Sequence, residues 1–255
     1  MKILLLSLTL FLIAMPVLAG DPKSGDELIA AMHKKYDGKW YKTLTFKQVT
    51  TNFDPDGTSK ESIWYEALSA PGKLRIDFEP LDKREGILFA DGMIYSYQGG
   101  KLARPGRAFV HPLLVLGFDV YVQPVEKTIE QIKGMGIDIS VIHQEKWMGK
   151  TVYVVGAKEG DLNAPQFWVT KGDLLFVRLI QLGGKDKKIV QETQFNKYVK
   201  AGGGWVAAEV IFNVNGKTAT TEAYSEIQTG TSLDAGLWDP ERFLTIDRTY
   251  YKKLR

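Results

Sequence analysis

Leu74-Arg75-Ile76-Asp77-Phe78-Glu79 alternates apolar and charged side chains without a break, and Met93, Tyr95 and Tyr97 repeat the two-residue period downstream. Successive side chains of a strand point to opposite faces. Leu74, Ile76 and Phe78 therefore share one face, and Arg75, Asp77 and Glu79 the other. The pattern predicts a strand with one dry face and one wet face. Turn formers separate such runs: Asp54-Pro55-Asp56-Gly57, Pro71-Gly72, Asp91-Gly92 and Gly99-Gly100. Their spacing predicts a first sheet of about four strands across residues 42–103.

Upstream of this sheet the period is helical. Ser24 and Glu27 have capping-box spacing, and Leu28, Met32 and Tyr36 follow at four-residue intervals with Ile29 beside them. Asp37-Gly38 ends that helix, because glycine takes the left-handed conformation a helix end favours. Downstream, Pro112 to Val122 is strongly apolar and fits either a short helix or a buried strand. A second helix opens at Pro124, carries Val125, Ile129 and Ile132 on one face, and stops at Gly134. Strands then dominate from Ile139 to about Gln228, with an Asn215-Gly216 hairpin turn after Val206, Ala208, Val210, Phe212 and Val214. The whole reads as mainly β with a few helices, an α+β class. No linker, low-complexity tract or repeat divides it, so residues 20–255 are expected to form a single domain.

The first residues predict export. Met1-Lys2 is followed by an apolar run from Ile3 to Val17, and Val17-Leu18-Ala19 offers small residues for cleavage after Ala19. That run is short for a span of roughly 30 Å of hydrocarbon, so residues 1–19 are expected to be a signal peptide rather than an anchor. Asp21 stands where a lipoprotein would carry its lipid-bearing cysteine, and the chain has no cysteine at all. Disulfides and cysteine–metal sites are therefore excluded, and a soluble, periplasmic product without a membrane anchor is expected. Loss of Lys2 with the leader leaves 32 basic against 30 acidic side chains. Such a balance gives no footprint for nucleic acid. The locally basic tail Arg248 to Arg255 reads as a solvated end.

A search for catalytic chemistry comes back empty. His33, His111 and His143 lack metal-ligand spacing, and no nucleophile elbow, P-loop or dinucleotide fingerprint occurs. Asp54-Pro55-Asp56-Gly57 resembles a calcium loop, but its glycine comes two positions too early. Gly202-Gly203-Gly204 joins two strands and reads as a turn. Neither a cofactor nor an enzymatic activity is expected. What stands out is an apolar and aromatic surplus: Trp40, Tyr41, Trp64, Tyr65, Trp147, Phe167, Trp168, Trp205 and Trp238 sit in or beside strands. Most should fill a core. A strongly bent sheet with few helices would also leave an apolar concavity.

The order of these features resembles the outer-membrane lipoprotein-sorting proteins of the periplasmic carrier (LolA/LolB-like) type. The resemblance rests on Ser69-Ala70-Pro71-Gly72-Lys73-Leu74-Arg75-Ile76-Asp77-Phe78-Glu79, on Ile87-Leu88-Phe89-Ala90-Asp91-Gly92-Met93-Ile94-Tyr95-Ser96-Tyr97, and on the segment from Leu233 to Phe243. It implies an unclosed antiparallel β-barrel, a half-barrel, covering a hydrophobic cavity under a helical lid. It also implies a monomeric periplasmic carrier of lipoprotein acyl chains or lipid, passed between inner- and outer-membrane transfer proteins. Ala70 stands where such carriers place a lid-latching arginine. The candidate ligand-binding residues are Leu74, Ile76, Phe78, Met93, Tyr95, Leu114, Phe118, Val210 and Phe212, with Val110 to Val122 as the lid. An envelope sensor or binding module that docks a protein partner with the same half-barrel is the alternative.

Overall fold

The computed structural model describes residues 20–254, so the expected signal peptide lies outside the described residues. Thirteen strands form one antiparallel sheet. The first meander comprises β1 (Thr43–Phe53), β2 (Ser59–Ser69), β3 (Lys73–Phe78), β4 (Gly86–Ala90), β5 (Met93–Gln98) and β6 (Lys101–Ala108). The second comprises β7 (Ile142–Trp147), β8 (Lys150–Val155), β9 (Gln166–Thr170), β10 (Phe176–Gly183), β11 (Ile189–Ala201), β12 (Gly204–Val214) and β13 (Lys217–Thr229). The two join where β1 pairs with β13, and β6 and β7 remain as the unpaired edges of an open half-barrel.

Among the described residues three α-helices accompany the sheet: α1 (Gly25–Tyr36), α2 (Pro112–Gly117) and α3 (Val125–Gly134). Ser24 Oγ accepts from the Glu27 N–H at 3.2 Å, as the capping box requires. The Glu27 carboxylate accepts from Lys23 N at 2.8 Å, one residue before the box position. The apolar stripe Leu28, Ile29, Met32 and Tyr36 is buried in the main core with Leu44, Phe46, Leu116, Val155, Phe167 and Phe176. Asn215 and Gly216 both take positive φ, 49° and 76°, in the hairpin turn between β12 and β13.

Three expectations are corrected, and one open choice, that over the apolar run after Pro112, is settled. Residues 43–108 hold six strands rather than about four, because Pro80 and the turn at Leu81–Lys83 cut the alternating run into short pieces. The apolar run after Pro112 is a helix, with a 3₁₀ turn at Asp119–Tyr121. The charged face of β3 is also dry: Arg75 and Asp77 are both 0% exposed. The segment from Leu233 to Tyr251 folds across the convex side of the first meander and covers them. Its Leu237, Trp238, Phe243, Ile246 and Tyr250 pack on Tyr65, Ala67, Leu88, Ala90 and Tyr97. Arg248 is correspondingly buried, against the reading of the tail as solvated, and donates to Asp77 at 2.7 Å.

Candidate ligand cavity

The alternation of each strand decides what faces the concave side. On β2, Trp64, Glu66 and Leu68 point inward, while Ile63, Tyr65 and Ala67 point to the convex cluster. On β3, Leu74 and Ile76 face inward. β1 contributes Phe46, β4 contributes Ile87 and Phe89, and β11 to β13 contribute Phe195, Phe212, Glu222 and Tyr224. These side chains do not close the space. A cavity of about 250 Å³ remains between them and α2, whose Leu113 and Leu114 cover it together with His111 and Phe118. An engineered apolar cavity of about 150 Å³ stays dry and binds benzene, so this one is large enough for a short alkyl segment.

Of the nine residues singled out in the sequence, Leu74, Ile76, Leu114, Phe118 and Phe212 border the cavity. Phe78 lies on the same strand face but packs against Trp64, with ring centroids 4.9 Å apart. Val210 is fully buried in the core beside it. Met93 borders a separate depression with Asp91, Phe109 and Lys127, and Tyr95 packs on the convex cluster. The alternation of β5 sends Tyr95 and Tyr97 outward, which strand periodicity alone leaves undecided.

The lid is held firmly at one end. Tyr121 stacks on Trp40 at 3.8 Å and meets Tyr36 edge-on at 5.3 Å, so an aromatic cluster fixes the 3₁₀ turn to α1. Its hydroxyl donates to the Leu174 carbonyl and accepts from Phe176 N, both at 3.2 Å. Asp119 ties the same turn to the β2–β3 connection by accepting from Gly72 N at 3.0 Å. Burial pushes its carboxyl up to about 7. At the other end, His111 Nδ1 caps α2 by accepting from Leu114 N at 3.4 Å, and burial lowers its pKa to about 4, keeping the ring neutral. A second depression, lined in part by Gln181, Gln191 and Asn213, shares His111, Leu113 and Phe212 with the cavity. Leu113 thus lies between the cavity and the outside.

Sequence reasoning missed the polar floor. Glu66 is 5% exposed, and Glu222 stands partly buried beside it in the same wall. Burial, reinforced by Glu222 nearby, raises the Glu66 carboxyl well above its usual range. Glu222 is pushed up to about 7 by burial, against hydrogen bonds from Tyr224 and Gln48. The signal was present in Trp64-Tyr65-Glu66-Ala67-Leu68, where one acid interrupts an otherwise apolar inward face. Among the described residues no cluster of three or more His, Cys, Asp or Glu could hold a metal ion.

No family model matches the chain, and no curated protein matches it. Solved structures do. A putative outer membrane lipoprotein-sorting protein domain from Vibrio parahaemolyticus aligns with a TM-score of 0.59 at 12% identity, over 86% of this chain and 98% of that one. A LolA superfamily protein from Nitrosomonas europaea aligns with a TM-score of 0.54 at 11% identity, over 84% and 98% of the two chains. The fold is LolA-like. A DUF1329 family protein from Desulfovibrio piger shares this LolA-like architecture, with a TM-score of 0.58 at 15% identity over 86% and 97%. At these identities the likeness establishes the fold, and the chemistry must be argued from the cavity.

Proposed function

We propose that residues 1–19 export the chain to the periplasm and that residues 20–255 act there as one domain, a monomeric carrier without enzymatic activity. Its cargo is the acyl chain of a lipoprotein or lipid, and its task lies in outer-membrane lipoprotein sorting, with membrane transfer proteins as donor and acceptor. The observation that carries this reading is the unfilled space of about 250 Å³ on the concave side, walled by Phe46, Leu68, Leu74, Ile76, Ile87 and Phe89. Each methylene moved from water into such a wall gains roughly 0.8 kcal/mol. A longer chain needs more room, which α2 can provide by swinging on its anchored end at Tyr121. Among the described residues no helix is long and apolar enough to cross a membrane.

The test is the lipid content of protein expressed with its leader and purified without detergent. Mass spectrometry of an organic extract should find an acylated species in near-stoichiometric amount. Repeated lipid-free preparations that also fail to take up a fluorescent fatty acid would sink the proposal. Recovery of a specific polypeptide in place of lipid would favour the sensor alternative.

A further inference from the structure

The cavity floor is deficient in hydrogen-bond donors. Glu66 is 5% exposed, it borders the cavity, and among the described residues no group donates to its carboxyl. Behind this lining Gln48, 1% exposed, sits on β1 between two lining residues, paired with Trp64 of β2 on one side and Tyr224 of β13 on the other. Its amide nitrogen donates to Thr50 Oγ1 at 2.7 Å, but its Oε1 has no partner. Glu222, paired across β1 with Thr50, accepts from the Tyr224 hydroxyl at 2.8 Å. Among the described residues bordering the cavity there is no lysine or arginine. With His111 Nδ1 already accepting from the backbone, its Nε2 is left as the donor, on the lid side.

A buried polar group left without a partner costs roughly 1–3 kcal/mol, and charged acceptors cost more. Folds keep such groups where something else satisfies them. A purely hydrocarbon cargo would leave Glu66 and Gln48 as they are, and a carboxylate or phosphate head would add like charge. What the floor lacks is several N–H donors and one positive charge. We propose that the cavity takes an amphiphile whose apolar tail ends in a protonated primary amine, with the ammonium held by Glu66, Glu222 and Gln48 Oε1. This assignment rests on the carrier reading and specifies its cargo. An ammonium brings three donors for these three acceptors, and its single charge balances one carboxyl of the pair, whose proton leaves to solvent, while the other carboxyl keeps its proton. The wall of Phe46, Trp64, Leu68 and Ile87 takes the tail.

Calorimetric titration of the delipidated protein at pH 7.5 with octylamine, octyltrimethylammonium, octanol and octanoate tests this, because the four share a tail that suits the cavity. Octylamine should bind at least tenfold tighter than octanol. Octyltrimethylammonium, which has charge without N–H donors, should fall between them, and octanoate should be weakest. Glu66→Gln should cut the amine-to-alcohol ratio by about tenfold, and Glu222→Gln should cut it in the same direction. Removing an unpartnered buried acid should not impair folding. If octanol or octanoate matches octylamine, or if both variants keep the ratio, the amine assignment is overturned while the carrier reading stands. If none of the four binds, both fall together.

Discussion

The two faces of β2 and β3 bury charge in opposite ways. On the convex face Asp77 accepts from Arg75 at 2.8 Å and from Arg248 at 2.7 Å, and it accepts from the Tyr250 hydroxyl as well. Arg75 also donates to the Phe243 carbonyl at 2.9 Å, its guanidinium 3.8 Å from the Phe243 ring centroid. Arg248 reaches the Leu81 carbonyl at 2.9 Å. That network is nearly saturated, and it fastens the C-terminal segment to the sheet. On the concave face Glu66 has an acidic neighbour and no donor. Saturated charge of this kind serves the fold, whereas unsaturated charge beside an empty space points to something the fold lacks.

The largest effect should come from breaking the convex network. Asp77→Ala leaves two guanidinium groups buried without their counter-ion, which should cost about 3–5 kcal/mol in thermal or denaturant unfolding. Proteolysis should then cut the chain after residue 230 first. A loss below about 1 kcal/mol would mean that the network does not hold the tail.

The second effect is a pH dependence of opposite sign on the two faces. The pKa of Glu222 rises from 4.5 to about 7 on folding, so the folded state holds its proton more tightly. Its contribution is fully present below pH 4.5 and is lost as pH rises through about 7, a change on the order of 2 kcal/mol. Asp119, also raised to about 7, acts in the same direction. Asp77 is lowered despite its burial, because Arg75 and Arg248 favour the carboxylate, so its contribution is present at neutral pH and lost in acid. Denaturant melts between pH 4.5 and 7.5 should therefore decline with pH, and Glu222→Gln should flatten the decline. An unchanged slope in that variant would place the titration elsewhere.

The smallest effect should come from Glu66→Gln, which removes an unpartnered acid and should raise stability by about 1 kcal/mol. A loss of similar size would mean that Glu66 has a stabilising partner in the fold.

Much of this contrast could be read from the sequence, and its missing parts have physical causes. The alternation of Leu74 to Phe78 put Leu74 and Ile76 on one dry face, without showing that this face is the concave one, and the capping residues placed α1. The same alternation left Arg75 and Asp77 looking solvated, because the residues that cover them arrive from Leu233 to Tyr251, a segment of short 3₁₀ turns and bends without helical or strand period. Glu66 left a trace in the apolar face that it interrupts, but Glu222 could not be told from a surface acid in a chain that is 25% charged until β1 and β13 were brought side by side. The helix over Pro112–Gly117 was ambiguous because an apolar run of six residues suits a strand equally well.

Methyl-labelled protein titrated with octanol compares the two faces in one experiment. The concave methyls of Leu68, Leu74, Ile76, Ile87 and Leu114 should shift together and saturate, while those of Leu88, Leu237 and Ile246 on the convex side stay in place. Shifts confined to the convex cluster, or none at all, would contradict a ligand cavity inside the half-barrel.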